Sequence, residues 1–136
     1  MTADQIISAA RSEIGTPFAH QGRIPGKRLD CAGLLLRVAF LLDVPVIDYS
    51  GYARRPSNGL LESALDNQPG IEQCQVSLKP GLLFLMRFNG EPQHLGICTG
   101  DTLIHAYEPT GNVCEHRIDD AWRGRIVRAY RFKDMT

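Results

Sequence analysis

The chain has 136 residues, and its 15 Lys and Arg residues are balanced by 15 Asp and Glu residues, so it is formally neutral. This length predicts a single domain over residues 1–136, and the balanced charge argues against nucleic acid or an anionic membrane surface as a partner. No apolar run is long enough to span a bilayer and no Sec-type signal is visible, so we expect the protein to be cytoplasmic as synthesised. The four cysteines have no CxxC spacing, which predicts free thiols from a reducing compartment.

The first half of the chain has the periodicity of helices. A capping box that begins at Thr2 predicts a first helix over about residues 3–14. Residues 31–42 predict a second helix that is apolar or glycine at every position but Arg37, and such a helix is expected to be buried on nearly every side as the central rod of the core. Ser57 is expected to cap a short third helix.

The second half changes to the alternation and turn residues of strands. Asn89-Gly90 and Gly100-Asp101 are expected to join neighbouring strands through tight turns. Helices followed by antiparallel strands predict an α+β domain with its helices packed on one face of a sheet. The predicted strands cover residues 82–88, 94–99, 102–107, 113–118 and 126–132.

Cys31 is the candidate nucleophile, because it lies in the first turn of the second helix, where Asp30 is the expected N-cap. Unpaired backbone N–H groups and the positive end of the helix dipole stabilise a thiolate at this place. We therefore expect the pKa of Cys31 to lie below the free-cysteine value of about 8.5. The alternative is that Cys31 is a small buried hydrophobic residue, as most free cysteines are.

Two histidines are expected to share one face of the strand pair that turns at residues 100–101. If this turn has two or four residues, the register places His94, His105 and Tyr107 on the same face, and Gly96 leaves space between the two imidazoles. A three-residue turn would put the histidines on opposite faces. The alternative for each histidine taken singly is a structural side chain whose hydrogen bonds are satisfied within the protein.

Cys31, His94 and His105 together supply what a cysteine nucleophile needs. The nucleophile requires a neighbouring base, and the base requires a third polar group that fixes its tautomer and orientation. The order of cysteine, histidine and polar residue, with a helix before the strands, is also the papain-like order. A zinc site formed by the same three residues is the alternative, but their spacing matches no common metal motif, so we predict neither a metal nor a cofactor.

Four short blocks occur in an order that resembles the NlpC/P60 cysteine peptidases of bacterial cell walls. The blocks are Ile14-Gly15-Thr16-Pro17-Phe18, Asp30-Cys31-Ala32-Gly33-Leu34, His94-Leu95-Gly96-Ile97 and Ile104-His105-Ala106, which resemble the family segments G-x-P-Y, D-C-S-G-L, H-V-G-I and I-H-A. The resemblance implies a papain-like α+β fold in which Cys31 is the nucleophile, His94 the base and His105 the third member.

The sequence also departs from this family pattern. Phe18 stands where the family usually has a tyrosine near the nucleophile, so a hydroxyl group that helps to bind or polarise the substrate is missing. Ala32 replaces the usual serine, and Leu82 stands where an aspartate is common. By their position beside the nucleophile, Phe18 and Asp30 are predicted to contact the substrate.

Residues 49–56 look like the equivalent segment of phage tail-associated members of the family. The resemblance implies phage tail proteins as partners and incorporation in a phage tail as a location. Arg54 or Arg55 is predicted to hold a substrate carboxylate bidentately, and the alternative is that both belong to a solvated loop. The remaining cysteines are interpreted as packing residues, and His20 and His116 are given no role.

The usual substrate of the family implies hydrolysis of the stem peptides of peptidoglycan, often at the bond between γ-D-glutamate and a diamino acid. The thiolate would attack the amide carbonyl, the backbone N–H of Cys31 would help to hold the oxyanion, and a thioester would then be hydrolysed. Two alternatives stay open: a structural phage tail or assembly protein that does not use the site, and an acyltransferase that passes the thioester to an amine.

Overall fold

The computed structural model describes residues 1–136, and its first helix, α1 (Ala3–Arg11), confirms the predicted capping box. Thr2 Oγ1 accepts a hydrogen bond from the backbone N–H of Gln5, whose side chain accepts one from the backbone N–H of Thr2. The helix ends three residues earlier than predicted, because tighter turns take over before Gly15, which has a φ of +93°.

The second helix, α2 (Cys31–Leu41), begins where the sequence predicts. The expected burial on nearly every side is wrong, because α2 lies against α1 and the sheet with one face only. Phe40 is 70% exposed and Leu41 is 41% exposed on the other face. Its buried residues are Gly33, Leu34, Val38 and Ala39.

Two short strands, β1 (Arg23–Ile24) and β2 (Arg28–Leu29), form a hairpin directly before α2, where the sequence indicates only irregular chain. Helix α3 (Leu60–Asp66) is present, but its N-cap is Gly59 at a φ of +74°, so the expected cap at Ser57 is wrong.

The second half forms a six-stranded antiparallel sheet. Its strands are β3 (Ile71–Cys74), β4 (Leu83–Phe88), β5 (Glu91–Cys98), β6 (Thr102–Tyr107), β7 (Asn112–Arg117) and β8 (Ile126–Phe132). A 3₁₀ turn (Glu108–Thr110) precedes β7, and a short helix α4 (Asp120–Arg123) precedes β8. The strand order is β3-β8-β4-β5-β6-β7.

The core is one cluster of 27 buried apolar residues contributed by α1, α2, α3 and the sheet. Burial of this apolar surface between a helical layer and a sheet provides the main driving force for the fold. The predicted α+β class is confirmed, whereas the assignment of residues 1–136 to a single domain stays a prediction. None of the helices has both the length and the apolar character needed to cross a membrane.

Candidate active site

Cys31 is the first residue of α2, and the chain before it is held in place by the carboxylate of Asp30. Asp30 Oδ1 accepts hydrogen bonds from the backbone N–H of Gly33 and from Arg23 Nη1, both at 2.7 Å. Its Oδ2 accepts from the backbone N–H of Gln21 at 2.9 Å and from the hydroxyl of Tyr52. We call Cys31, Asp30 and the residues that fix Asp30 (Gln21, Arg23, Gly33 and Tyr52) the nucleophile wall.

The predicted N-cap role of Asp30 is confirmed by its bond to Gly33. Both carboxylate oxygens are engaged by other groups of the protein, and the residue is only 4% exposed. Direct substrate contact by Asp30 stays a prediction. Its hydrogen bonds give Asp30 a structural role, because they attach residues 21–23 and the loop around Tyr52 to the start of α2.

Gly33 permits a close approach at the same helix end. A Cβ atom on Gly33 would lie 2.2 Å from the backbone oxygen of Gly22, a separation that no side chain tolerates without a shift of the backbone. The absence of a side chain at Gly33 therefore lets the loop before α2 pack directly on the first turn that carries Cys31.

The thiol of Cys31 is neutral at rest. Burial and the Asp30 carboxylate raise its pKa to about 12, and hydrogen bonds from the backbone of Leu95 and Ala32 oppose this increase only in part. The expected pKa below 8.5 is therefore wrong for the unliganded site. Desolvation outweighs the helix dipole, and the partner histidine is neutral and so provides no positive charge.

The histidines lie on the strand pair β5–β6, whose register is the predicted one. Ile97 pairs with Ile104 and Cys98 pairs with Leu103, and the backbone N–H of Thr99 donates to the carbonyl of Thr102 at 2.9 Å. This register is that of a two-residue turn at residues 100–101.

The predicted shared face is confirmed by the rings themselves. The ring centroid of His94 lies 4.8 Å from that of His105 and 5.9 Å from that of Tyr107. The expected gap at Gly96 is wrong, because a Cβ atom there would lie 2.5 Å from Cδ1 of Leu103, so Leu103 fills the space. The two imidazoles are in direct contact instead, with His94 Nε2 and His105 Nδ1 2.5 Å apart.

His116 is a functional candidate to which the sequence assigns no role. Its Nε2 lies 2.8 Å from His105 Nε2, and its Nδ1 lies 2.8 Å from the carbonyl oxygen of Arg117. On β7, His116 pairs with Leu103, two residues before His105 on β6, so both imidazoles stand on one face. The alternation of residues 113–118 carried this signal, but the 3₁₀ turn before β7 hides the register. We call His94, His105 and His116 the imidazole wall.

Burial keeps the inner members of the imidazole wall neutral. It lowers the pKa of His94 to about 4 and that of His105 to about 2, and neighbouring imidazoles contribute to both shifts. Trp122 covers the outer end of the wall, with its ring centroid 5.1 Å from that of His105 and 4.7 Å from that of His116. His94 therefore suits the role of a base that receives a proton only when a reaction supplies one.

Cys31 and His94 both line a cleft of about 480 Å³. His105 does not line it and lies behind His94. No three of the His, Cys, Asp and Glu side chains are arranged to hold a metal ion, so the zinc alternative finds no support in the geometry. All four cysteines are free thiols, as predicted.

The four predicted substrate-binding residues also line this cleft, together with Tyr49, Tyr52, Phe88 and Glu108. Arg54 Nη1 forms an exposed ion pair with Glu108 Oε1 at 3.0 Å. Arg55 is exposed and makes no salt bridge. The predicted residues are Phe18, Asp30, Arg54 and Arg55, and their contact with substrate stays a prediction.

No protein-family profile matches the sequence, and no curated protein matches it. Solved structures do match. The NlpC/P60 domain of the peptidoglycan hydrolase SagA is 23% identical, with 95% of this chain and 97% of that chain covered and a TM-score of 0.63.

An NlpC/P60 family protein from Bacillus cereus is 18% identical with a TM-score of 0.68; the match covers 96% of this chain but only 40% of that protein. The P60 domain of an antigen from M. avium subspecies paratuberculosis is also 18% identical, with a TM-score of 0.60 and coverage of 95% and 93%. At these identities the likeness concerns the fold, and the conclusion is that this chain has the papain-like fold of NlpC/P60 domains.

Proposed function

We propose that the protein is a cysteine peptidase that hydrolyses the stem peptides of peptidoglycan, with Cys31 as nucleophile, His94 as base and His105 as the residue that orients the base. One observation carries the proposal: Cys31 and His94 line the same cleft, and His105 is hydrogen-bonded to His94 from behind. The fold shared with a peptidoglycan hydrolase domain supports the choice of substrate.

The reaction begins from a neutral thiol and a neutral imidazole. As the sulfur of Cys31 attacks the amide carbonyl carbon, the thiol proton passes to His94, and the carbonyl oxygen takes up negative charge. The first N–H groups of α2 have no helical acceptor, so the backbone N–H of Cys31 is available to stabilise this oxyanion.

Collapse of the tetrahedral intermediate breaks the C–N bond, and His94 returns the proton to the leaving amine. A thioester remains on Cys31. Water then attacks the thioester with His94 as base, which gives a free carboxylate and restores the thiol.

The bond between γ-D-glutamate and a diamino acid is the proposed site of cleavage. A γ-linked glutamate keeps its α-carboxylate free, so a cation beside the cleft would select it. Arg55 is available for this role because it has no acidic partner, whereas Arg54 is paired with Glu108. A phage tail location and synthesis in the cytoplasm stay predictions beside this proposal.

The test is incubation of the protein with purified peptidoglycan, followed by mass spectrometry of the soluble products. Wild type is compared with Cys31→Ala and with Cys74→Ala as the matched control, since Cys74 is another half-buried thiol that does not line the cleft. We expect new fragments, each with one water added, from wild type and Cys74→Ala but not from Cys31→Ala.

Identical product profiles for wild type and Cys31→Ala would overturn the proposal. The products formed without any added amine distinguish hydrolysis from acyl transfer, because a hydrolase adds one water at each bond that is cut, whereas a transferase joins the acyl group to another amine with no net gain of water. The mass of the fragments identifies the bond that is cut. Cleavage at a D-alanine bond would contradict the proposed site of cleavage but not the peptidase activity.

A further inference from the structure

The imidazole wall ends on a group that can only accept a hydrogen bond. His94 Nε2 faces His105 Nδ1, His105 Nε2 faces His116 Nε2, and His116 Nδ1 faces the carbonyl oxygen of Arg117. The last separation is 2.8 Å, so it is a hydrogen bond only if His116 Nδ1 carries the proton.

This end point determines the direction of every hydrogen bond along the wall. A neutral imidazole has one N–H donor and one bare nitrogen acceptor. With its proton on Nδ1, His116 has a bare Nε2, which accepts from Nε2–H of His105. The Nδ1 of His105 is then bare and accepts from Nε2–H of His94, and the Nδ1 of His94 is left without a proton.

We propose that His116 is a positioning residue that, through the Arg117 carbonyl, fixes the tautomers of His105 and His94 so that His94 presents a proton-free Nδ1 at the cleft. The consequence for catalysis rests on the proposed peptidase function, whereas the assignment of the tautomers is independent of that function. The opposite polarity would place a bare Nδ1 of His116 against the bare carbonyl oxygen and lose that hydrogen bond.

The surroundings of the wall preserve this arrangement. The His105 side chain is fully buried, and its ring stacks on Tyr107 with centroids 4.9 Å apart. Trp122 packs against both His105 and His116 and so restricts water at the contact between them. The low pKa values of His94 and His105 agree with neutral rings at physiological pH.

The experiment is two-bond ¹H–¹⁵N correlation NMR of the ¹⁵N-labelled full chain at pH 7.5, which identifies the protonated nitrogen of each imidazole. In wild type we expect His94 and His105 to carry the proton on Nε2 and His116 to carry it on Nδ1. If His94 of the wild-type protein carries its proton on Nδ1, this spectrum alone overturns the proposal.

Two variants of His116 test its influence on His94. His116→Gln keeps an acceptor for Nε2–H of His105, so we expect the wild-type tautomers to persist. His116→Phe keeps a ring against Trp122 but removes the acceptor, so we expect a mixture of His94 tautomers. An unchanged His94 tautomer in a folded His116→Phe would overturn the proposal, and circular dichroism checks the fold.

Kinetics supply a second readout. We expect kcat for His116→Phe to fall about tenfold with KM unchanged, and His116→Gln to recover most of the loss; a complete change of tautomer in a catalytic triad costs roughly 10⁴-fold. A proportional loss in both variants would indicate a merely structural role and contradict the proposal. If wild type has the expected tautomers but does not cleave peptidoglycan, the peptidase function fails and the positioning role of His116 stands.

Discussion

The two walls of the cleft are constructed by different physical means. The nucleophile wall depends on charge, because Asp30 is ion-paired with Arg23 at 2.7 Å and accepts three further hydrogen bonds. The imidazole wall contains no ion pair and holds its base through neutral hydrogen bonds between three strands. The comparison teaches that Cys31 and His94 are held by different kinds of contact and that both side chains rest neutral. In the proposed reaction, the proton therefore moves only when the thiol attacks the substrate.

The largest expected effect comes from removal of the inner imidazoles. We expect His94→Ala to abolish turnover, since it removes the group that exchanges the proton with the thiol and the leaving amine, a step worth roughly 10²–10⁴-fold. We expect His105→Asn or His105→Gln to keep measurable activity, because either can still hydrogen-bond His94, and His105→Ala to keep less.

The measurement is kcat/KM on a peptidoglycan stem peptide, with folding checked by circular dichroism. If His94→Ala kept near-normal activity while His105→Asn were inactive, the assignments of base and orienting residue would have to be exchanged. Equal losses in both folded variants would favour a site in which both imidazoles are metal ligands, and metal analysis of the purified protein would test that.

A smaller effect is expected when the charge of the nucleophile wall is removed. Asp30→Asn breaks a buried ion pair while Arg23 keeps its second partner, Asp48, at 3.0 Å, so we expect a loss of about 2–3 kcal/mol in the free energy of unfolding. Because the Asp30 carboxylate raises the pKa of Cys31, the variant should also react with iodoacetamide at lower pH.

Asp48→Asn is the matched control, since Asp48 is the exposed partner of the same arginine and its loss should cost under about 1 kcal/mol. Urea unfolding measures the stabilities, and the pH profile of alkylation measures the thiol. If the two substitutions lowered the free energy of unfolding equally, the buried carboxylate of Asp30 would stabilise the nucleophile wall no more than the exposed carboxylate of Asp48 does.

A further expected effect is a pH dependence that belongs to the imidazole wall. In the folded state the pKa values of His94 and His105 are about 4 and about 2, whereas in the unfolded chain a histidine has a pKa of about 6.5. Between these values the unfolded chain binds more protons, so acid favours unfolding. Stability is fully present above pH 6.5 and should fall by about 1.4 kcal/mol per histidine for each pH unit below it.

The measurement is the free energy of unfolding from pH 7.5 down to pH 4.5. His105→Gln removes one of the two buried titrating groups, so its curve should be flatter than that of wild type by the contribution of one histidine. Parallel curves for the two proteins would contradict the assignment of this acid sensitivity to His105.

The sequence predicts the imidazole wall better than the nucleophile wall, because strand alternation and tight turns are local signals. Asn89 and Gly90 both have positive φ, at +52° and +79°, as the predicted turn requires. The two-residue turn at 100–101 sets the register that brings His94 and His105 together. His116 was not predicted, because the turn that leads into β7 includes a 3₁₀ segment and sets no register that the sequence reveals.

The nucleophile wall depends on contacts between residues far apart in the chain. Asp30 was predictable as an N-cap, since that bond is local, but its partner Tyr52 is 22 residues away in a loop without periodicity. The pKa of Cys31 was predicted in the wrong direction for the same reason: the helix dipole is visible in the sequence, whereas burial and the neutral state of His94 appear only after folding. The exposed face of α2 was missed because composition alone does not show which side of an apolar helix meets the sheet.

The position of Trp122 gives the protein a built-in optical reporter. It is the one tryptophan of the chain, it packs against the outer end of the imidazole wall, and it does not line the cleft. Indole fluorescence is quenched by a protonated imidazole in contact with the ring and is far less sensitive to a neutral one. The emission of the unlabelled protein therefore follows the charge of the His105 ring that Trp122 contacts, and the reporter lies outside the cleft.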